Sequence, residues 1–179
     1  GKEPRSRAAP KLLLLARQAI REFVAENKIL EYKTADSNLL IERGAFVTLK
    51  KDGQLRGCIG FIEPVLPLYE TVIRTAIYAA TRDTRFEPVT KEELKDLELE
   101  ISVLTPLQKI EDPRSVLVGK HGLVVSMGSK KGLLLPQVAV ENRWKAETFL
   151  GQACLKAGLP PDAWKKGAEI FVFEAIVFE

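Results

Sequence analysis

The sequence predicts an α+β fold: a mostly antiparallel, curved sheet built from two similar strand-helix repeats, with helices packed outside it. Three observations carry this expectation. Apolar residues recur at helical spacing in some segments and alternate strictly in others. Two turn signals, Asp52-Gly53 and Gly128-Ser129-Lys130-Lys131, each separate a pair of alternating segments, which is the mark of a hairpin. The order hairpin, proline, helix, strand then occurs twice, over 45–104 and over 123–178, although residue identity does not repeat.

Each element has its own reason. Between Leu12 and Asn27, Leu12, Ala16, Ala19 and Phe23 share a helical face with Leu13, Ile20 and Val24 beside them, and Pro10 is a permitted starter. The stretch 29–42 lacks a period and is expected to be irregular. Ala45, Val47 and Leu49 alternate with Phe46, Thr48 and Lys50, and Leu55, Gly57, Ile59 and Phe61 with Arg56, Cys58 and Gly60. Pro64 and Pro67 close this hairpin, and 68–81 reads as a helix. Thr90 with Glu93 forms a capping box, and 97–104 alternates as a strand wet on one face.

In the second half, 123–127 and 132–135 form a hairpin stopped by Pro136, and a helix is expected over 140–157 with Gly158 as its stop. A last strand over 170–178, apolar on both faces, belongs mid-sheet. The two hairpins are expected to share one sheet, so that 57–63 and 135–141 border one cleft. The chain is expected to be a single domain over 1–179, with residues 1–10 disordered.

Composition narrows the function. With 46% apolar and 28% charged residues the chain reads as an ordinary globular protein. Its longest aliphatic run, from Leu12 to Ala16, is too short to cross a bilayer or to form a signal-peptide core, so a soluble, cytoplasmic protein is expected. Cys58 and Cys154 read as free thiols in a reducing compartment, and one histidine without paired cysteines argues against a metal site. A net charge of +3, spread without a basic-aromatic stripe, makes nucleic acid an unlikely partner. Phosphate-cradling glycine loops, dinucleotide fingerprints and serine elbows are absent from the sequence, which removes the commonest nucleotide-dependent enzymes and leaves any cofactor open.

The candidate chemistry centres on Cys58. Strand alternation puts Arg56 and Cys58 on one face, about 7 Å apart at the backbone. A neighbouring guanidinium favours the nucleophilic thiolate, and Gly57 and Gly60 leave the sulfur unshielded. The alternative is a cysteine in packing, with the glycines making a bulge. His121, in a glycine-flanked approach to the second hairpin, is a candidate general base or a surface turn residue. Gln137, Glu141 and Trp144 offer an amide, a carboxylate and an aromatic at a strand-to-helix passage; equally, Glu141 opens a helix and Trp144 is core. Arg82 and Arg85 could hold a phosphate or carboxylate, or pair internally with Asp83 and Glu87 to pin their loop. Cys154 reads as core.

Six ordered blocks, "LRGCIG" (55–60), "RDTRFEPV" (82–89), "LELEISVLTP" (97–106), "GKHGLVV" (119–125), "GLLLPQVAVENRW" (132–144) and "CLKAGLPPDAW" (154–164), make the chain resemble the AMMECR domain family from Leu12 onward. Asp83-Thr84 stands where that family usually has aspartate-proline. The resemblance implies two unequal subdomains with a duplicated strand-helix arrangement and a cleft at "LRGCIG". It directs attention to Arg56, Cys58, His121, Gln137 and Glu141. It also implies a three-part prokaryotic set with a radical-SAM protein and a Memo-type protein, and it implies no reaction. Two functions follow as expectations. One is a cysteine-dependent enzyme or accessory subunit with Cys58 as nucleophile, His121 and Glu141 as acid/base support, and Arg56 holding the thiolate or an anion. The other is a non-catalytic binding or scaffold module whose cleft, lined by Gly57, Gly60, Arg82, Arg85 and Gln137, takes a small ligand or a protein.

Overall fold

The computed structural model describes residues 8–179, and the chain divides into two compact units. The first ends at Leu104 and regains Ile176–Glu179; the second is Thr105–Ala175. Part of the disorder expected over 1–10 lies outside the described residues, but Ala8 is already buried and helix α1 begins at Ala9.

In the first unit α1 (Ala9–Glu26) buries Leu12, Leu15, Ala16, Ala19 and Ile20, and the chain reverses at Asn27 in a left-handed conformation. The irregular stretch after it contains one helical turn, α2 (Ser37–Leu40), started by the Asp36 carboxylate accepting the Asn38 N–H. The hairpin β1 (Ala45–Lys51) and β2 (Gln54–Phe61) turns on Asp52 and Gly53, both at positive φ as a two-residue loop of this hand requires. Helix α3 (Leu68–Thr81) follows, then a 3-10 helix (Lys91–Asp96) carrying the Thr90–Glu93 capping box, then β3 (Leu97–Leu104). Ala45, Val47 and Leu49 of β1 and Leu97, Leu99, Ile101 and Val103 of β3 form one core with α1 and α3. The opposite sheet face carries Phe46, Thr48 and Cys58, all half-buried.

The second unit contains β4 (Gln108–Ile110), β5 (Gly122–Met127), β6 (Lys130–Leu134), α4 (Pro136–Glu141), α5 (Ala146–Lys156) and β7 (Glu169–Phe173). Leu123, Val125, Phe149, Leu150, Ala153, Cys154, Ile170 and Val172 fill its core. Strand β8 (Ala175–Phe178) returns to the first unit.

The α+β class and the antiparallel pairing are those the sequence predicts, but the two hairpins do not share a sheet. The strands form two four-stranded sheets, ordered β2-β1-β3-β8 and β4-β7-β5-β6. The cause lies in the last segment. The strand expected over 170–178 breaks at Glu174, whose N–H donates to Thr105 Oγ1 (2.7 Å) and whose carbonyl accepts the Thr105 N–H (2.8 Å). That clamp sends β7 to the middle of the second sheet and β8 to an edge of the first, so the mid-sheet expectation holds for β7 alone.

The helix expected over 140–157 is also two helices. Asn142 Nδ2 donates to the Val138 carbonyl, Arg143 takes a left-handed φ of 56°, and the Arg143 and Trp144 N–H groups donate to Val140 and Ala139, a Schellman stop. Glu141 therefore closes α4 instead of opening a helix. The hairpin-helix-strand order does recur in matching topology, since the first hairpin strand pairs with the later strand in both units, β1 with β3 and β5 with β7.

Candidate functional site

Cys58 lies on β2, an edge strand of the first sheet, directly opposite Thr48 on β1. Thr48 Oγ1 and Cys58 Sγ are 3.2 Å apart, close enough for a hydrogen bond in either direction. The Cys58 N–H points away from the sheet and donates to Asp83 Oδ2 at 2.9 Å. An unpaired edge N–H is a liability, and here the loop after α3 supplies a carboxylate to take it.

Asp83 is the hub. It is buried, with 7% of its surface exposed, and accepts from the Cys58 N–H, the Arg85 N–H (3.1 Å), Arg85 Nε (3.0 Å) and Arg85 Nη2 (2.7 Å). The Arg85 guanidinium holds its carboxyl down at about 2, with the two backbone donors adding to the effect against the cost of burial. Arg85 itself is more than half exposed and stands over the Phe86 ring. Arg82 stacks on Tyr78 with Cζ 4.6 Å from the ring centre. Internal pairing therefore pins this loop, as the sequence reading weighed for it.

Three expectations about the thiol are corrected. Burial raises the Cys58 thiol above its ordinary value; the Thr48 hydrogen bond and the Arg85 charge oppose this and do not win, while Asp83 and Glu100 reinforce it. The thiol is thus predominantly protonated at neutral pH rather than acidic. Arg56 is not its cation. Register shifts between Leu49 and Lys50, leaving Arg56 as the extra residue of a bulge, and its guanidinium forms a bidentate pair with Glu93 (Nε to Oε2 2.9 Å, Nη2 to Oε1 3.0 Å). Glu93 also accepts from Lys51 Nζ (3.1 Å) and from the Thr90 N–H (3.0 Å), which ties the hairpin to the 3-10 helix and keeps the Glu93 carboxyl well below the usual range.

The glycines are the third correction. A β-carbon at Gly57 would overlap the Ala79 carbonyl oxygen of α3, and one at Gly60 would overlap the Phe46 ring across the hairpin. Gly57 lets a helix backbone approach, and Gly60 lets an aromatic lie on the strand. Neither opens a path to sulfur. Gly132 on β6 plays the part of Gly57 in the second unit, since a β-carbon there would strike the backbone at Ala157, just past α5. Three hollows of the first unit are lined by α1, the 3-10 helix, β1, β3 and Glu179, and Cys58 lines none of them.

His121, Gln137 and Glu141 belong to the second unit. Within it, the loop before β5 lies against α4: a β-carbon at Gly119 would be 3.7 Å from Val140 Cγ2. Gln137 is half-buried in the first turn of α4, and Glu141 is exposed at its end. His121 Nδ1 accepts the Leu117 N–H at 3.1 Å. That bond selects the tautomer with hydrogen on Nε2, so the neutral ring offers a donor, not the free lone pair a general base needs. Burial and the Lys120 charge keep the ring below its ordinary value, against the opposing pull of Glu174. Trp144 packs on Phe149 in the core. Among the described residues no group of three or more His, Cys, Asp and Glu is placed to hold a metal ion, and no helix is long and apolar enough to cross a membrane.

Sequence reasoning placed Cys58 and anticipated internal pairing at Asp83 in the 81–89 loop, but it missed Thr48, the bond from the Cys58 N–H to Asp83 and the pairing of Glu93 with Arg56. The Thr48 contact was not findable from the turn alone, because a two-residue turn at Asp52-Gly53 sets 48 opposite 57 and only the bulge at Arg56 moves it opposite 58. The Asp83 contact was not findable, because it crosses from a loop to a strand edge.

Known proteins resemble this chain in sequence, and one solved structure resembles it in fold. A family model described as AMMECR1 matches residues 13–178. A Methanopyrus kandleri protein is 49% identical over 178 residues, spanning 94% of this chain and 86% of its own. A Methanosarcina barkeri protein is 47% identical over 182 residues, spanning 97% and 89%. The crystal structure of the uncharacterized protein PH0010 from Pyrococcus horikoshii matches with a TM-score of 0.91 at 43% identity, covering 97% of this chain and 91% of that one.

Proposed function

We propose that this chain, which belongs to the AMMECR1 family, is a binding module that holds a small anionic group, a carboxylate or phosphate, at Arg85 beside Cys58. One observation carries the reading. Buried Asp83 grips both the Cys58 N–H and one edge of the Arg85 guanidinium, fixing an exposed cation at the strand edge that carries Cys58. Arg85 has five N–H donors, and the Asp83 oxygens take two side-chain ones, leaving the outer edge for a ligand. Cys58 and Thr48 are then lining residues, with no bond made or broken.

The test is titration of inorganic phosphate and acetate, followed by amide shifts at residues 58 and 83–86. Arg85→Gln should abolish the response and Cys58→Ala should preserve it; a response that survives Arg85→Gln rejects the site. The enzyme reading has one observation in its favour, the Thr48 hydroxyl and Arg85 charge that both pull the thiol toward thiolate, and burial outweighs them. Under the binding reading, the radical-SAM and Memo-type partners implied by the resemblance would supply the chemistry while this module holds an anionic group for them. Co-purification of the three, weakened by Arg85→Gln, would support that role, and co-purification indifferent to it would remove Arg85 from it. A cytoplasmic setting accords with two free cysteines.

A further inference from the structure

We infer that a second, separate site lies on the helix-covered side of the first sheet, and that it takes a medium-chain aliphatic carboxylate. A hollow of about 290 Å³ opens between α1, the 3-10 helix and the start of β3. Its floor is Ile20, Leu97 and Leu99, all buried, with half-buried Leu94 as a wall. Its rim holds three cations, Arg17 and Arg21 one helical turn apart on α1 and Lys95 on the 3-10 helix. Arg17 Nη2 donates to the Leu97 carbonyl at 3.2 Å, which folds that guanidinium over the floor. Among the described residues no carboxylate forms an ion pair with Arg17, Arg21 or Lys95, and no acid lines this hollow.

The chemistry of the occupant follows from these walls. No aromatic residue lines the hollow, so it offers no stacking platform for a base or ring, while branched aliphatic walls suit a methylene chain. The cations at the rim call for an anionic head. The two ends differ in charge balance, cations outnumbering acids at one and acids outnumbering cations at the other. The adjoining hollow that shares Arg21, Leu94 and Lys95 brings in Glu26 and Glu92 but also Lys91. The one that shares Arg17 and Leu99 brings in Glu98, Glu100 and Glu179 against Lys50, which pairs with Glu100. A carboxylate is therefore held near Arg21 and Lys95, with its tail over Leu97 and Leu99. Leu97 and Leu99 belong to the core face and Cys58 to the other, so the site is independent of the one proposed around Arg85.

Calorimetric titration of the full chain with decanoate, below its micelle concentration, tests this, with decan-1-ol and acetate as controls for head and tail. The expected result is one saturable decanoate site per chain, with both controls and the Arg21→Gln/Lys95→Gln variant weaker by about tenfold. Leu94→Trp should fill the hollow and block binding, and Cys58→Ala should leave it intact. The exposed Arg21 and Lys95 changes keep the test valid should Leu94→Trp fail to fold. Absence of saturable decanoate binding, equal binding of decan-1-ol, or decanoate binding unaffected by the Arg21/Lys95 change would each overturn the inference.

Discussion

Replacing Asp83 with asparagine removes one negative charge while nearly preserving shape, and its cost can be worked from the structure. The carboxyl is held at about 2 against an ordinary 3.8, which corresponds to about 2 kcal/mol of folding free energy at neutral pH. Because the folded value is depressed, that contribution is fully present above pH of about 4, where the unfolded carboxyl is already ionised, and it is lost as pH falls toward 2. The assay is urea unfolding of wild type and Asp83→Asn at several pH values. At pH 7 the variant should be less stable by about 2 kcal/mol, and the gap should close as pH falls through this window. Taking the difference between the two proteins removes other depressed carboxylates, Glu93 among them, from the comparison. Hydrogen exchange at the Cys58 amide reports the same bond locally and should quicken in the variant, since asparagine accepts more weakly than a carboxylate. A gap that is absent at pH 7, or constant down to pH 3, would refute the reasoning.

Gly57→Ala and Gly132→Ala should each destabilise by roughly 1–3 kcal/mol in chemical denaturation, because each forces a helix end away from its sheet. Gly60→Ala should cost less, since the Phe46 side chain can give where a backbone cannot. Glu93→Gln should lose roughly 1–3 kcal/mol by loosening Arg56 and Lys51, yet leave the reactivity of Cys58 unchanged; altered reactivity would restore Arg56 as the thiol's cation. Nitrogen NMR of His121 should show a neutral ring at pH 7 with hydrogen on Nε2 and a titration midpoint below 6.5; hydrogen on Nδ1 would contradict the Leu117 contact.

Most of the fold was legible because its signals are local. The Asp52-Gly53 turn, the Thr90–Glu93 capping box and the α3 spacing each depend on residues a few positions apart, and each appears as expected. The failures share another character. Two sheets instead of one, and the split of the last strand, follow from the Thr105–Glu174 clamp, whose partners are far apart in sequence. The break between α4 and α5 had a local sign in Asn142, outweighed by the apolar period running through it. At the candidate site, the cysteine and a guanidinium beside it were anticipated, but the bulge moved Arg56 to Glu93 and the loop brought Arg85 in its place. The glycines misled because a residue without a side chain looks like open space in a sequence, whereas Gly57 and Gly60 are filled by a helix backbone and a ring.

The most direct test is the rate of Cys58 alkylation across pH 6 to about 10, assigned by mass spectrometry so that buried Cys154 is counted separately. A binding module with a desolvated thiol predicts slow labelling at neutral pH, a midpoint above the roughly 8.5 of a free cysteine, and a further rise in Arg85→Gln. Labelling at pH 7 faster than that of a free cysteine would show a thiolate ready for attack and return the site to an enzyme.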